Sequence, residues 1–314
     1  MRICVIGAGA IGGLLAARLA HVGEEVSVIA RGPHLAAIKA EGLRLIEEGQ
    51  EIVAKVKASN NIADVGEQDL VILGMKAHQV AAVVRDLPAI YGPRTAVLTA
   101  QNGIPWWYFF KHGGPHEGAR LESVDPGGII ADNLPIDRVL ASVVYPAAEI
   151  DGKATERIEQ IAAAFTRAGF KAPIVADIRA ELWTKLWGNA TFNPISALTH
   201  ATLEDICRFP LTRTLAEDVM REVKAIGEAL GIRFRIPLEK RIAGAEAVGP
   251  HKTSMLQDVE SGRALEADAL LGSVIELGRI VNVPSPHLDS LYAVVKLLGE
   301  TLAREKGRLV VEPA

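Results

Sequence analysis

Three polar residues, Lys185, Asn189 and Asn193, recur at i, i+4 and i+8 in the apolar run Glu181-Leu182-Trp183-Thr184-Lys185-Leu186-Trp187-Gly188-Asn189-Ala190-Thr191-Phe192-Asn193. Four residues turn a helix by about 400°, so this spacing puts all three on one face. A lysine among Leu and Trp needs a polar partner, and the stripe reads as the border of a cleft. Asn193 has a plainer reading as well, as a helix cap before Pro194. A lysine so placed can donate a proton to a developing alkoxide or stabilise its charge. Asparagine amides can orient the lysine and hold substrate oxygens. This is the chemistry required when hydride adds to a ketone.

A seat for the hydride donor is offered near the other end of the chain. Gly7-Ala8-Gly9-Ala10-Ile11-Gly12 follows the apolar run Ile3 to Ile6 and opens a helical stretch. In that setting a G-x-G-x-x-G turn binds a dinucleotide: one glycine for the tight turn, one for pyrophosphate approach, one for close packing. The helix N-terminus adds free N–H groups for the phosphates. After the second strand, where a site for NAD would carry an acid, stands Ala30-Arg31-Gly32. A guanidinium pairs with a 2′-phosphate, so Arg31 predicts NADPH; otherwise it is a solvated surface residue.

These groups need scaffolding, and the chain supplies two kinds. The first part alternates strand and helix, with apolar runs at Ile3–Ile6, Val26–Ala30, Asp69–Leu73, Thr95–Thr99 and Arg138–Val144, and with helical His78–Leu87. That alternation predicts a doubly wound α/β sheet over residues 1–177. The remainder, 178–314, reads as all α: Ile178–Asn193 stopping at Pro194, then Leu211–Leu230, Pro237–Ala247, Thr253–Gly262, Leu265–Val281 and Pro286–Leu302. A short exposed tail is expected after Lys306.

Composition narrows the partners. With 314 residues, 49% hydrophobic, 23% charged and a net charge of −4, disorder is excluded and no basic run suggests nucleic acid. No apolar stretch reaches the ~20 residues of a membrane span. The chain opens directly on a strand, and Cys4 and Cys207 form no metal or redox spacing, so a cytoplasmic location is expected. Metal chemistry has little support, since His112 and His116 are spaced as ligands only if helical.

The runs Gly7-Ala8-Gly9-Ala10-Ile11-Gly12-Gly13, Lys76-Ala77-His78-Gln79, Gln101-Asn102-Gly103, Ile178 to Leu186, Asn189 with Asn193-Pro194, and Thr253-Ser254-Met255-Leu256-Gln257-Asp258 together resemble the ketopantoate reductase family (2-dehydropantoate 2-reductases). The resemblance covers most of the chain. It implies a Rossmann-type NADP-binding domain, an α-helical substrate and dimerisation domain, and a substrate cleft between them. It makes Lys185 the general acid and Glu266 the acidic residue that contacts substrate or the lysine, though alone Glu266 reads as an exposed carboxylate. Asn102 falls at the nicotinamide and the active site, which a turn-forming Asn-Gly allows. Lys76, otherwise a solvated loop lysine, falls beside the cofactor. Ser254 resembles the serine that binds the substrate carboxylate, while Thr253 or Ser254 also fits a helix N-cap. Asn189 and Asn193 carry over as substrate contacts.

The implied reaction is NADPH-dependent reduction of a 2-keto acid, with ketopantoate to pantoate foremost, a step of pantothenate biosynthesis. A β-hydroxyacid or opine-type dehydrogenase and a non-catalytic NADP-binding regulator are the alternatives. The long C-terminal helices are compatible with a homodimer. Two departures bear on substrate. Trp106-Trp107-Tyr108-Phe109-Phe110 concentrates aromatics in a chain with only four Trp, four Tyr and seven Phe; it forms either an apolar pocket or lid, or packing. After Glu149-Ile150-Asp151-Gly152 a hairpin usual in the family is missing.

Overall fold

The structure, a computed structural model, describes residues 1–47, 49–143, 147–149 and 156–307. The chain divides into two compact units, one of Met1–Gln101 with Phe109–Ile178, the other of Asn102–Tyr108 with Arg179–Ala314. The helical unit thus also takes in a seven-residue stretch from the middle of the α/β half.

In chain order the first unit contains β1 (Arg2–Ile6), α1 (Ala10–His21), β2 (Glu25–Ile29), α2 (Gly32–Glu41), β3 (Leu43–Glu47), β4 (Gln50–Ala54), β5 (Lys57–Ser59), β6 (Gln68–Leu73), β7 (Tyr91–Thr99), α3 (Ile129–Asn133), β8 (Val139–Val143), β9 (Ala147–Glu149) and α4 (Glu156–Arg167). The main sheet has the order β5-β2-β1-β6-β7-β8-β9; its first six strands run parallel and β9 pairs antiparallel with β8. Continuous apolar runs form these strands because a parallel sheet is covered on both faces: Ile3, Cys4, Val5, Leu70, Val71 and Ile72 are fully buried. Chain order reverses between β1 and β6, the switch point where open α/β sheets bind ligands. An antiparallel β3–β4 hairpin, absent from the sequence expectation, packs on α1. The expected helix over His78–Leu87 is instead two 3-10 segments, Ala77–Ala82 and Val84–Ile90, the second containing Pro88, which has no N–H to give.

The second unit contains α5 (Ile178–Thr199), α6 (Leu203–Arg208), α7 (Pro210–Ala229), α8 (Leu238–Ala247), α9 (Ser254–Glu260), α10 (Ser273–Ile280) and α11 (Pro286–Arg304). Helix α5 is apolar on most sides, with Leu182, Trp183, Leu186, Trp187, Ala190, Phe192, Ile195 and Ala197 buried, as befits a core helix. It does not stop at Pro194, as expected, but continues to Thr199. Proline already has a helical φ and forfeits one hydrogen bond; burial of Phe192, Ile195, Ser196 and Ala197 around it outweighs that loss. Asn193 is therefore an interior helical residue and not a cap. Around α5, the Trp187 indole donates to the Met220 carbonyl at 2.8 Å and both Trp183 and Trp187 meet Phe234. Glu222 of α7 caps α11 through the N–H groups of His287 and Leu288.

The expected helix from Leu265 begins only after Glu266, and Asp268–Gly272 forms a π-turn ahead of α10. The expectations of a missing hairpin after Glu149 and of an exposed tail after Lys306 fall mainly on 150–155 and 308–314, outside the described residues. Among the described residues no helix is long and apolar enough to cross a membrane.

Candidate active site

The Gly-rich turn in the first unit has the strain and openness that a dinucleotide cradle needs. Gly7 adopts φ +93° and its N–H donates to the Ile29 carbonyl at 3.0 Å. A Cβ at Gly12 would overlap the Gly7 carbonyl oxygen, whereas one at Gly9 would meet nothing within 4 Å. The first and third glycines thus close the turn and the second leaves its outer side clear. Helix α1 starts there with no side-chain cap and no acid in its first turn, leaving N–H groups and the positive dipole end for an anion. Ala8, Ala10 and Ile11 complete the turn. The residues present fit a pyrophosphate.

A further glycine completes the cradle. A Cβ at Gly74, just after β6, would lie 2.8 Å from the Gly12 Cα. Sequence reading passed over Gly74; its only signal was a glycine directly after a buried strand. Met75 packs against Gly7, so the half-buried Lys76 leaves the sheet beside the turn. Its backbone N–H donates to the Gln79 side chain at 3.1 Å. Arg31 is exposed one residue beyond Ala30, at the N-cap of α2.

In the second unit, residues far apart in sequence converge. Lys185 of α5 donates from Nζ to Oδ1 of Asn102 at 2.8 Å, and Nδ2 of the same amide lies 3.4 Å from Oε2 of Glu266. The amide can serve both neighbours because it carries an acceptor and a donor on opposite atoms. Burial pulls the Lys185 ammonium down to about 8 from an ordinary 10.5, with the Glu266 charge pulling the other way. A lysine in this state is charged at neutral pH and gives up its proton far more readily than a solvated one.

The π-turn explains how Asn102 reaches this place. Within it the Ser273 N–H donates to the Asp268 carbonyl, five residues back. That leaves the Ala269 carbonyl outside the helical ladder, where it accepts from the Ile104 N–H at 3.2 Å and from Ser273 Oγ at 2.7 Å. Gly103, at φ +88°, lies against this oxygen so closely that any Cβ would overlap it. The loop Asn102-Gly103-Ile104 is thus pinned three residues from Glu266. Neither Ala269 nor Ser273 carries a sequence signal, because π-turns have no residue signature.

Asn189 lies between Lys185 and Asn193 on the same face of α5. Asn193, buried, points Nδ2 toward Ser254 Oγ at 3.5 Å. Ser254 is exposed at the first position of α9, and the cap is Thr253, whose Oγ1 accepts from the Leu256 N–H. Of the aromatic run, Trp107, Tyr108 and Phe109 are buried and Phe110 is exposed. Tyr108 is packing: its hydroxyl accepts from the Trp183 indole at 2.8 Å and its carbonyl from Arg179 Nε at 3.0 Å. Phe109 meets the rings of His112 and His116. Among the described residues no group of three or more His, Cys, Asp or Glu is placed to hold a metal ion.

Comparison with known proteins agrees with this geometry. The ketopantoate reductase PanE/ApbA model matches residues 3–106 and its C-terminal counterpart matches 177–299. A 2-dehydropantoate 2-reductase of Mesorhizobium japonicum is 49% identical, over 95% of this chain and 98% of that protein. The chain belongs to the ketopantoate reductase family. Ketopantoate reductases are nicotinamide-dinucleotide-dependent oxidoreductases. A putative ketopantoate reductase from Ralstonia solanacearum superposes with TM-score 0.90 at 42% identity, covering 96% of this chain and 98% of its own. The ketopantoate reductase fold is also that of a D-mandelate dehydrogenase solved with NADH and anilino(oxo)acetate, at TM-score 0.80 and 22% identity, covering 96% and 99% of the two chains.

Proposed function

We propose that this protein reduces 2-dehydropantoate (ketopantoate) to pantoate with NADPH. The observation that carries the proposal is the Lys185–Asn102–Glu266 constellation around a lysine pulled down to about 8. Gly7 to Gly12 cradle the pyrophosphate, Arg31 takes the 2′-phosphate, and Lys76 lies along the dinucleotide. When bound, the dinucleotide supplies the hydride. Lys185 protonates the carbonyl oxygen as it gains charge, and Asn102 aims the ammonium by accepting a hydrogen bond from it. Glu266 keeps the lysine charged until transfer, countering the burial that favours its neutral form. Asn189, Asn193 and Ser254 hold the substrate's oxygens. Once neutral, the Lys185 amine regains its proton from solvent.

NADPH oxidation followed with a panel of 2-keto acids tests this, ketopantoate being the expected best substrate. Tight NADPH binding without turnover would instead make the protein a nucleotide-binding regulator, and a preference for another keto acid would reassign the substrate. The same proposal places the protein in a reducing cytoplasm, where buried free thiols such as Cys4 and Cys207 persist. A homodimer is proposed beside it, with the exposed Leu211 and Leu297 of α7 and α11 available to a second copy; light scattering reads the mass.

A further inference from the structure

Arg241 lies half-buried on α8. Its Nε–H is shut off from solvent and meets no acceptor. The guanidinium rests directly on the backbone of Gly188 in α5: a Cβ at Gly188 would collide with Nη2 and lie 3.2 Å from Cζ. After proline, glycine is the poorest residue for a helix interior, yet here its missing side chain makes room for a cation. Gly188 is three residues beyond Lys185, and such pairs are surface neighbours with Cβ positions about 5–6 Å apart. Two cationic side chains therefore flank one patch of α5. Lys185 is engaged by Asn102, whereas the Arg241 fork has no carboxylate partner among the described residues.

We infer that Arg241 binds the carboxylate of the substrate while Lys185 addresses the adjoining carbonyl. The inference rests on the keto-acid reductase function proposed above and names the residue that reads the acid. A half-buried guanidinium without an anion is costly until one arrives. In a 2-keto acid the carboxylate is bonded to the carbonyl carbon, so neighbouring cations match neighbouring oxygens. The planar fork grips both carboxylate oxygens at once. Ser254 can add a hydrogen bond to the same group but no charge.

The test compares wild type, Arg241→Gln and Gly188→Ala on a 2-keto acid and on its uncharged methyl ester, with calorimetric titration of the corresponding 2-hydroxy acid. Arg241→Gln is expected to raise KM for the acid roughly 10- to 100-fold, the scale of a lost charge-assisted pair. KM for the ester and kcat for both should change little. Gly188→Ala favours the helix and displaces only the flexible end of Arg241, so it should raise KM for the acid without lowering Tm. Equal losses on acid and ester, or wild-type KM in both variants, would overturn the role of Arg241. If wild type reduces no 2-keto acid, the reductase function fails separately. Titration then decides Arg241 alone: weaker 2-hydroxy-acid binding in Arg241→Gln supports it, while equal or absent binding in both proteins overturns it.

Discussion

The ammonium of Lys185 and the amide oxygen of Asn102 stand 2.8 Å apart although 83 positions of sequence separate them. The contact joins the middle of a buried helix to a glycine-bearing loop. It fixes the direction in which the lysine can deliver a proton.

Replacing Lys185 by alanine should lower kcat by roughly 10²- to 10⁴-fold, the usual range for a general acid, while NADPH affinity stays near wild type. Because the proton donor must be charged, kcat/KM should hold at neutral pH and decline above about 8. Stopped-flow and titration data read the two effects separately, and equal losses in turnover and cofactor binding would argue against the acid role.

The same lysine weakens the fold at neutral pH. Its folded value, about 8, lies below the ordinary 10.5 that it regains on unfolding. Between these values the unfolded chain binds more protons, so this contribution makes stability rise with pH across that window. Lys185→Met should therefore be more stable than wild type at pH 7, by up to roughly 3 kcal/mol at about 1.4 kcal/mol per pKa unit. The advantage should shrink by pH 10, as urea unfolding at the two pH values will register; an advantage that grows with pH contradicts the assignment.

Gly103→Ala tests the pinned loop. A side chain there meets both the positive φ and the Ala269 oxygen, so a destabilisation of about 1–3 kcal/mol is expected. Turnover should fall with it, since Asn102 is displaced from Lys185. Wild-type Tm and kcat in this variant would show that the loop is not held as described.

Arg31→Ala should reduce kcat/KM with NADPH by about 10-fold or more, the loss of a charge-assisted phosphate contact, and leave NADH almost untouched. A wild-type enzyme that already prefers NADH would remove Arg31 from the cofactor site.

Tyr108→Phe removes the acceptor of the Trp183 indole and strands a buried N–H. A loss of about 1–3 kcal/mol with kcat/KM unchanged marks Tyr108 as core packing; a substrate-specific change in KM would make it part of a pocket.

Much of this was legible in the sequence because the relevant forces act locally. Strands β1, β2, β6 and β7 announced themselves as apolar runs, and Lys185, Asn189 and Asn193 share a face by periodicity alone. Asn102 and Glu266 were legible only through family resemblance, because their contact joins positions 164 residues apart. Pro194 misled because a local rule lost to burial. The π-turn was invisible, since it depends on which N–H a carbonyl meets and not on residue type. Gly74 needed the neighbouring strand in place before its role could be seen.

The π-turn has a mechanical meaning. Glu266 and the Ala269 carbonyl belong to one short stretch of backbone, and the Asn102 amide meets the first while the Ile104 N–H meets the second. That stretch therefore bears on the ammonium twice, through the Glu266 carboxylate and, by way of Ile104, through the loop that holds the Asn102 amide. The aim of the proton donor is set by the same backbone that carries its counter-charge.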